Sequence, residues 1–242
     1  MMRSVDNRPP TIVQSFRTSE VPDWISRCLA SVRGWAEARG HAYVFVDDAL
    51  FAYAPDWYRA KVDDAVLPAS DLARLLLLRE LLDEHPAVAW LDADVLVFDP
   101  DCFRLPEVAY ALCPERWVFR TKAGQLRAVD QVNNSAMVFA RRNPFLDFYI
   151  EACQTTVRAC AGEVTSHLVG TDLLTELDRV VPLVRLGGVG MVSPALAREL
   201  AAGREQALRF YAEGLDGPVH AANLCLSFAG RSDPASVAAA PG

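Results

Sequence analysis

The stretch LDADVLVFDP, residues 91–100, places two acidic side chains inside an otherwise apolar run. The residues from Val95 to Phe98 are typical of a buried strand, whereas Asp92 and Asp94 are not. Two unpaired carboxylates in a dry core would cost several kcal/mol each, so a positive charge is expected close to them. The stretch therefore predicts either a functional site at the end of a strand or a turn in which both acids meet solvent.

The chain before this stretch alternates strand and helix patterns. TIVQSFRT predicts a strand over residues 12–16, and HAYVFVDD predicts a second strand that ends in acids from Asp47 onward. The segment between them predicts a helix with Pro22 near its first turn and Gly40 at its end. Since a strand–helix–strand opening is typical of a parallel α/β sheet, we expect residues 87–100 to form a central strand covered on both faces.

A strongly apolar helix is predicted directly before the central strand. SDLARLLLLRELLDEHP, residues 70–86, has Ser70 in the N-cap position, and the aromatic segment before it, residues 51–69, predicts irregular structure. Asp71 and Arg74 are three residues apart and therefore share one face near the helix start. They form either an ordinary surface ion pair or two groups that point at a ligand.

The second half of the chain predicts further strands and helices of the same kind. They are a strand in NNSAMVFA (133–140), a helix in NPFLDFYIEACQTTVRA (143–159) capped by Asn143, a helix in GTDLLTELDRVV (170–181) capped by Thr171, and a short helix in SPALARELAAG (193–203) that begins at Ser193. We expect a single domain over residues 1–242, with an ordered core of about 10–230 between flexible tails.

The composition is that of a globular protein, since 52% of the 242 residues are hydrophobic and 23% are charged. The net charge of −7 argues against nucleic-acid binding, which needs a basic face. The 6 cysteines form no C-x-x-C pair, which disfavours a zinc ribbon and fits free thiols in a reducing compartment. No stretch resembles a signal peptide, and the longest apolar run is too short to span a bilayer. We therefore expect a cytoplasmic protein without a transmembrane segment, for which peripheral membrane association stays open.

The two acids of the D-x-D pattern lie where a ligand is expected in an α/β sheet. Ligands bind beyond the carboxyl ends of the strands, where Asp92 and Asp94 follow one strand and Asp47 follows another. Two carboxylates with one residue between them can reach the same cation around a turn. Hard oxygen ligands suit Mg²⁺ or Mn²⁺, with phosphate and water oxygens completing the shell.

The ordered set IVQSFRTSEVPDWISRCLASVRGWAEARGHAYVFVDD, SDLARLLLLRELL and WLDADVLVFDP resembles the glycosyltransferases with a DXD sugar-binding region. These include initiating mannosyltransferases, capsular-polysaccharide and lipopolysaccharide enzymes, and the catalytic domains of clostridial toxins. The resemblance covers about the first 100 residues in order and the rest more loosely. One difference is that many members carry two glycines before the acidic strand, where this chain has DEHPAVAWLDAD.

The resemblance implies a GT-A fold, that is, a Rossmann-like mixed sheet, mostly parallel, flanked by helices. It implies a nucleotide-sugar donor linked to UDP or GDP, and Mn²⁺ or Mg²⁺ between the donor and the protein. The donor-binding residues expected on this basis are Gln14, Ser15, Phe16, Asp71, Arg74 and Asp92, to which the strand-end position adds Asp47. Asp94 is expected to bind the metal directly, with Asp92 shared between the ribose and the metal shell.

Three later residues are weaker site candidates, each with a structural alternative. His220 matches a late histidine that many of these enzymes present to the metal, although a histidine among apolar residues also serves in packing. Asn223 and Ser227 are close enough in sequence to replace it. Asn134, beside Asn133, and Asp172 match positions near the donor sugar and are the expected catalytic residues. They otherwise belong to a turn and to a helix start.

The function expected from this set is metal-dependent transfer of a sugar from a nucleotide donor to a hydroxyl of a glycan or another acceptor. The resemblance implies retention of the anomeric configuration and a role in bacterial polysaccharide, lipopolysaccharide or other glycoconjugate synthesis. One alternative is a non-catalytic protein of the same fold that binds sugar nucleotides or glycans. Another is a phosphohydrolase with an aspartyl nucleophile, but those enzymes carry D-x-D-G-T after their first strand. Here the motif begins at Asp92 and continues with Val95.

Overall fold

A computed structural model of the chain describes residues 8–63 and 65–226. The strands are β1 (Thr11–Ser15), β2 (Tyr43–Val46), β3 (Ala87–Leu91), β4 (Val95–Val97), β5 (Tyr110–Arg120), β6 (Leu126–Ala140), β7 (Val189–Met191) and β8 (Ala221–Asn223). The α-helices are α1 (Asp23–Ala38), α2 (Asp56–Val62), α3 (Val66–Leu81), α4 (Pro144–Ala159), α5 (Leu173–Val180), α6 (Pro194–Ala201) and α7 (Gln206–Ala212). A 3₁₀ helix covers Asp48–Tyr53, and a wide helical turn covers Leu168–Asp172.

The central sheet is mixed, with the strand order β2-β1-β3-β6-β5. Strands β2, β1 and β3 are parallel to one another, β6 is antiparallel to β3, and β5 is antiparallel to β6. Strand β5 therefore runs in the direction of the parallel strands, and only β6 opposes the other members of this sheet. A smaller sheet has the order β4-β8-β7. The expected α/β fold, a mostly parallel sheet flanked by helices, is confirmed.

Helices cover both faces of the central sheet because neighbouring strand residues point to opposite sides. Ile12 packs in a cluster with Val32 and Trp35 of α1. Val13, the next residue of β1, packs in a second cluster with residues of α3 and α4, among them Leu72. All of these side chains are fully or almost fully buried. The apolar residues of β1 thus contribute to the hydrophobic core on both faces of the central sheet.

The predicted continuous strand over residues 87–100 is interrupted at the acidic pair. Strand β3 ends at Leu91, and the backbone N–H of Val95 donates to the carbonyl of Asp92 in a turn, at 3.0 Å. The chain then continues as β4 in the smaller sheet. Since the carboxylates cannot enter the dry interior of the central sheet, the strand breaks where they occur.

Helix α3 begins earlier than the sequence predicts. It starts at Val66, so Ser70 lies inside the helix and donates its hydroxyl to the carbonyl of Leu67, at 3.0 Å. Pro68 is accommodated because the N–H groups of a first turn have no helical partner to lose. The segment 51–69, expected to be irregular, holds the 3₁₀ helix, α2 and this first turn.

Two of the other predicted helix starts are confirmed, and one is wrong. Asn143 caps α4 by accepting the N–H of Phe145 at 2.8 Å, and Ser193 caps α6 by accepting the N–H of Leu196 at 3.4 Å, as expected. Thr171 does not cap α5, because it lies within the wide turn and α5 begins after Asp172.

A long hairpin, β5–β6, was not predicted in full. Strand β6 is expected over residues 133–140 but starts at Leu126, and β5 pairs with it through a turn in which Gly124 has a φ of +77°. The 6 cysteines are free thiols, in agreement with the expectation. Among residues 8–63 and 65–226, no helix has both the length and the apolar character to cross a bilayer. Most of the predicted tails and Ser227 lie outside the described residues, and the single domain stays a prediction.

Candidate active site

A cleft of about 1030 Å³ opens at the carboxyl ends of β1 and β3, where α/β sheets commonly bind ligands. Its wall is completed by the β5–β6 hairpin, the start of α3, the wide turn before α5 and the residues after β8. The sequence-predicted residues that line it are Ser15, Phe16, Asp71, Arg74, Asp92, Asp94, Asn134 and Asp172. Most residues expected to bind a donor are therefore brought together from distant parts of the chain.

Asp92 is held by two donors at one of its carboxylate oxygens. Arg74 donates from Nη1 to Asp92 Oδ1 at 2.7 Å, and the indole N–H of Trp90 donates to the same oxygen at 2.6 Å. The guanidinium also lies over the Trp90 ring, 5.0 Å from its centroid. Among the described residues, no hydrogen bond reaches Asp92 Oδ2, and a quarter of the side chain is exposed (25%). Asp92 thus has a fixed orientation and a free oxygen.

Asp71 and Asn134 form a buried polar pair behind Asp92. The side-chain amide of Asn134 donates to Asp71 Oδ1 at 2.9 Å, and Arg74 Nη2 lies 3.2 Å from the same oxygen. The Tyr149 hydroxyl is 3.3 Å from the Asn134 amide. Burial raises the pKa of the Asp71 carboxyl, and Arg74 offsets part of that shift. Asn134, expected to be catalytic, is therefore held inside this pair, where it fixes Asp71.

Asp94 is a buried acid of the cleft whose two carboxylate oxygens both accept hydrogen bonds. Its Oδ1 accepts the side-chain amide of Asn223 at 2.7 Å, and its Oδ2 accepts the backbone N–H of Leu226 at 2.7 Å. Burial, together with the neighbouring Asp92, raises the pKa of Asp94 to about 7. It forms no ion pair with any residue of 8–63 or 65–226. A cation at this point would offset the cost of burying its charge.

His220 differs from the prediction that placed it beside Asp94. Strand β8 pairs with β4 so that Asn223 lies opposite Val95, whereas His220 precedes the strand at its other end. Its Nδ1 lies 2.9 Å from Asp99 Oδ2. The position next to Asp94 is taken by Asn223, which the sequence offered as the alternative.

Two donor-side expectations also differ from the observed positions. Gln14 is fully buried and holds the backbone of the acidic turn, since its amide donates to the carbonyl of Asp92 at 3.1 Å. Asp47 caps the 3₁₀ helix by accepting the N–H of Ala49 at 2.9 Å, and its neighbour Asp48 lines the cleft instead. The alternation of side chains along β1 explains why Gln14 does not face the cleft, since its neighbours Val13 and Ser15 point to the opposite face of the sheet.

Glu115 is a site residue that sequence reasoning missed. It lies on β5, lines the cleft and accepts the side-chain amide of Asn133 at Oε2, at 2.8 Å. Only 9% of the residue is exposed, and burial raises the pKa of its carboxyl. The signal in the sequence was a lone acid within YALCPERWVFR, which gains meaning only when β5 is recognised as a strand paired with β6.

The absence of a side chain at Gly170 lets the Asp71 and Asn134 side chains lie against its backbone. A Cβ at this residue would lie 3.1 Å from Asp71 Oδ2 and 3.3 Å from Asn134 Oδ1. We expect Gly170→Ala to lower the free energy of unfolding by about 1–2 kcal/mol, because buried oxygens must move. Gly162→Ala, where a Cβ meets nothing within 4 Å, is the matched control. Urea denaturation of both variants checks this, and equal stabilities would contradict the close approach.

Comparison with known proteins shows which solved structures resemble this fold. No protein-family model and no curated protein matches the chain. A crystal structure of a glycosyltransferase involved in the glycosylation of the major capsid of PBCV-1 matches with a TM-score of 0.50 and 9% identity, over 95% of this chain and 97% of that chain. An apo crystal structure of mouse xyloside xylosyltransferase 1 has a TM-score of 0.45 and 14% identity, over 90% and 98%. The first likeness shows that the chain shares the fold of that structure.

Proposed function

We propose that this chain is a metal-dependent glycosyltransferase that moves a sugar from a UDP- or GDP-linked donor to a hydroxyl of a glycan or another acceptor. The observation that carries the proposal is the placement of Asp92 and Asp94 in one deep cleft at the carboxyl end of β3. The fold and the resemblance of the acidic stretch support it. By that resemblance, the transfer retains the anomeric configuration and serves bacterial polysaccharide, lipopolysaccharide or other glycoconjugate synthesis.

The donor atoms of the acidic pair fit a hard divalent cation. Asp92 Oδ2 is free of hydrogen bonds from the described residues, and both carboxylate oxygens of Asp94 keep a lone pair after accepting one N–H each. Arg74 pairs with both Asp71 and Asp92. Together with Asp94, these acids carry more negative charge than one guanidinium offsets. A Mg²⁺ or Mn²⁺ ion held by Asp92 and Asp94 would supply Lewis acidity at the diphosphate and so would stabilise the leaving group.

The remaining residues bind and orient the substrates in this proposal. Ser15 and Phe16 line the end of the cleft beside β1, where the nucleoside would lie. Arg74 keeps Asp92 in one orientation and is itself fixed by Ser70, whose hydroxyl oxygen lies 3.1 Å from Nη2. Such fixed groups lower the entropic cost of aligning a sugar for transfer. Asp172, at the end of the wide turn, is proposed to contact the donor sugar.

Glu115 is proposed to accept a hydrogen bond from a substrate hydroxyl at the wall formed by β5. One of its oxygens is held by Asn133, and the carboxyl lies within the cleft. We expect Glu115→Gln to reduce kcat/KM by about 10–100-fold with little loss of stability, because a charged acceptor becomes a neutral one. Initial rates and thermal unfolding measure the two effects. An unchanged kcat/KM would remove Glu115 from the site.

The experiment that tests the function is a screen of nucleotide sugars for hydrolysis and transfer with Mn²⁺ present and absent. We expect turnover of at least one donor class that depends on the metal and competes with the free nucleoside diphosphate. Binding without turnover, across varied acceptors, would favour the non-catalytic sugar-nucleotide protein. If no donor binds or reacts, the proposed function is wrong. Phosphatase activity that needs Asp92 and no sugar donor would instead indicate the phosphohydrolase.

A further inference from the structure

A second cluster of potential metal ligands lies outside the cleft. Asp99, Cys102 and His220 each offer one ligand atom, and these atoms all lie within 4.8 Å of one another. Cys102 is exposed and His220 is partly buried, so the cluster is open to solvent on one side. None of the three residues lines the donor cleft. The cluster is therefore separate from the acidic pair at the end of β3.

The cluster and the acidic pair lie at opposite ends of the pairing between β4 and β8. Strand β4 pairs with β8 so that Val95 lies opposite Asn223 and Val97 lies opposite Ala221. Asp94 precedes β4 at one end of this pairing, and the cluster lies at the other end. One short two-strand ladder thus connects both sites.

The backbone holds the cluster in place before any ligand binds. The N–H groups of Phe98 and Asp99 both donate to the carbonyl of His220, at 3.1 and 3.0 Å. The Cys102 N–H donates to Asp99 Oδ1 at 3.2 Å, so the turn is closed on itself. Arg39, the residue that follows α1, also donates to the carbonyl of Asp101, at 2.7 Å. The three ligand residues are therefore preorganised by contacts that do not use all of their ligand atoms.

We propose that Asp99, Cys102 and His220 form a binding site for Zn²⁺ or a similar borderline transition-metal ion. A thiolate, an imidazole and a carboxylate are the three ligand types that zinc accepts in proteins, and a water can take the fourth position. Ligand atoms around tetrahedral zinc lie roughly 3.3–3.5 Å apart by its bond lengths. His220 Nδ1 and Asp99 Oδ2 lie 2.9 Å apart and all three ligand atoms lie within 4.8 Å of one another, so binding would require adjustments of about an ångström in these side chains. The soft thiolate disfavours Mg²⁺ and Mn²⁺, which distinguishes this site from the acidic pair.

The carboxylate has a second use if His220 binds the ion through Nε2. Asp99 Oδ2 then accepts the hydrogen of Nδ1, which fixes the ring and raises its basicity. In either arrangement the ion joins the turn of residues 99–102 to the residue that precedes β8. Since β8 carries Asn223, which holds Asp94, the ion would stabilise the strand that supports the cleft.

The test uses metal binding itself and is independent of glycosyl transfer. Chelator-treated protein is titrated with Co²⁺, whose bond to a thiolate gives a charge-transfer absorption band in the near ultraviolet. We expect saturation at one Co²⁺ per chain, displacement by Zn²⁺, and loss of the band in Cys102→Ser and His220→Gln. Cys160→Ser is the matched control at another partly accessible cysteine and should keep the band. Asp94→Asn should keep it as well, because the two sites are separate.

Two results would overturn the site. One is the absence of a thiolate band in the wild-type protein at saturating Co²⁺, which would leave only the Asp99–His220 hydrogen bond. The other is the same band and affinity in Cys102→Ser. Because Cys102 is exposed, this variant is expected to fold normally, and its circular dichroism spectrum provides the check. As a second readout, Zn²⁺ should raise the Tm of the wild-type protein and of Cys160→Ser but not that of Cys102→Ser.

Discussion

Asp94→Asn is expected to reduce the metal-dependent turnover of the sugar nucleotide by roughly 100-fold or more. A metal ion that offsets the charge of the leaving diphosphate contributes several kcal/mol, and each ~1.4 kcal/mol changes the rate tenfold. The amide keeps one oxygen but replaces the other by an NH₂ group, which would face either the Asn223 amide or the Leu226 N–H, both donors. The variant therefore loses the charge and one of the two contacts.

The same substitution should leave the fold intact. The pKa of Asp94 is raised to about 7 by burial and by Asp92, so ionised Asp94 costs free energy without a cation. We expect the Tm of Asp94→Asn, measured without metal, to lie close to that of the wild-type protein, because relief of the buried charge offsets the lost contact. Asp101→Asn, in the exposed turn that follows β4, is the matched control and should keep full turnover. Equal turnover by Asp94→Asn would remove Asp94 from the metal site while leaving the fold assignment unaffected.

The parts of the fold that the sequence predicts are those in which local signals and burial agree. Helix α4 has a capping Asn143 followed by Pro144, and its start is found from these two residues. Helix α3 is found as a helix but not at its start, because Ser70 is assigned as the N-cap, whereas the helix begins at Val66 and its first turn accommodates Pro68. Strand β3 is found from its apolar run, but the prediction extends it to residue 100, whereas the strand ends at Leu91, directly before the acids.

The parts that the sequence does not predict depend on pairing between distant strands. Glu115 is placed in the cleft only by the long β5–β6 hairpin, whose register shifts at Leu112 and Cys113. His220 and Asn223 are three positions apart, and only the pairing of β8 with β4 decides which of them meets Asp94. Periodicity describes a strand by itself, but register is set by its partner.

Arg74→Met is expected to lower the free energy of unfolding by about 3–5 kcal/mol, the usual result of removing one partner from a buried charged group. The Arg74 side chain is 6% exposed and the Asp71 side chain is 7% exposed, and the guanidinium also pairs with Asp92. Methionine keeps much of the aliphatic volume, so the loss reports on charge rather than on a cavity. Urea denaturation at neutral pH measures the effect.

The chain contains a matched control for this result. Asp56 and Arg59 have the same residue types at the same helical spacing, but their side chains are 94% and 47% exposed. We expect Arg59→Met to change the free energy of unfolding by less than about 1 kcal/mol, since water screens the pair. A loss at Arg74 no larger than that at Arg59 would contradict the view that the guanidinium is needed by buried acids.

Removal of the stranded charge should recover part of the lost stability. In Arg74→Met the Asp71 carboxylate loses its cationic partner, so Asp71→Asn added to it relieves the cost of burying that charge. We expect the double variant to be more stable than Arg74→Met, with a coupling of about 0.5–3 kcal/mol. Donor binding should stay weak in both, because Asp92 is no longer oriented by Nη1. Recovered stability with lost binding would separate the two roles of Arg74: it offsets the buried charge of Asp71 and holds Asp92 toward the ligand.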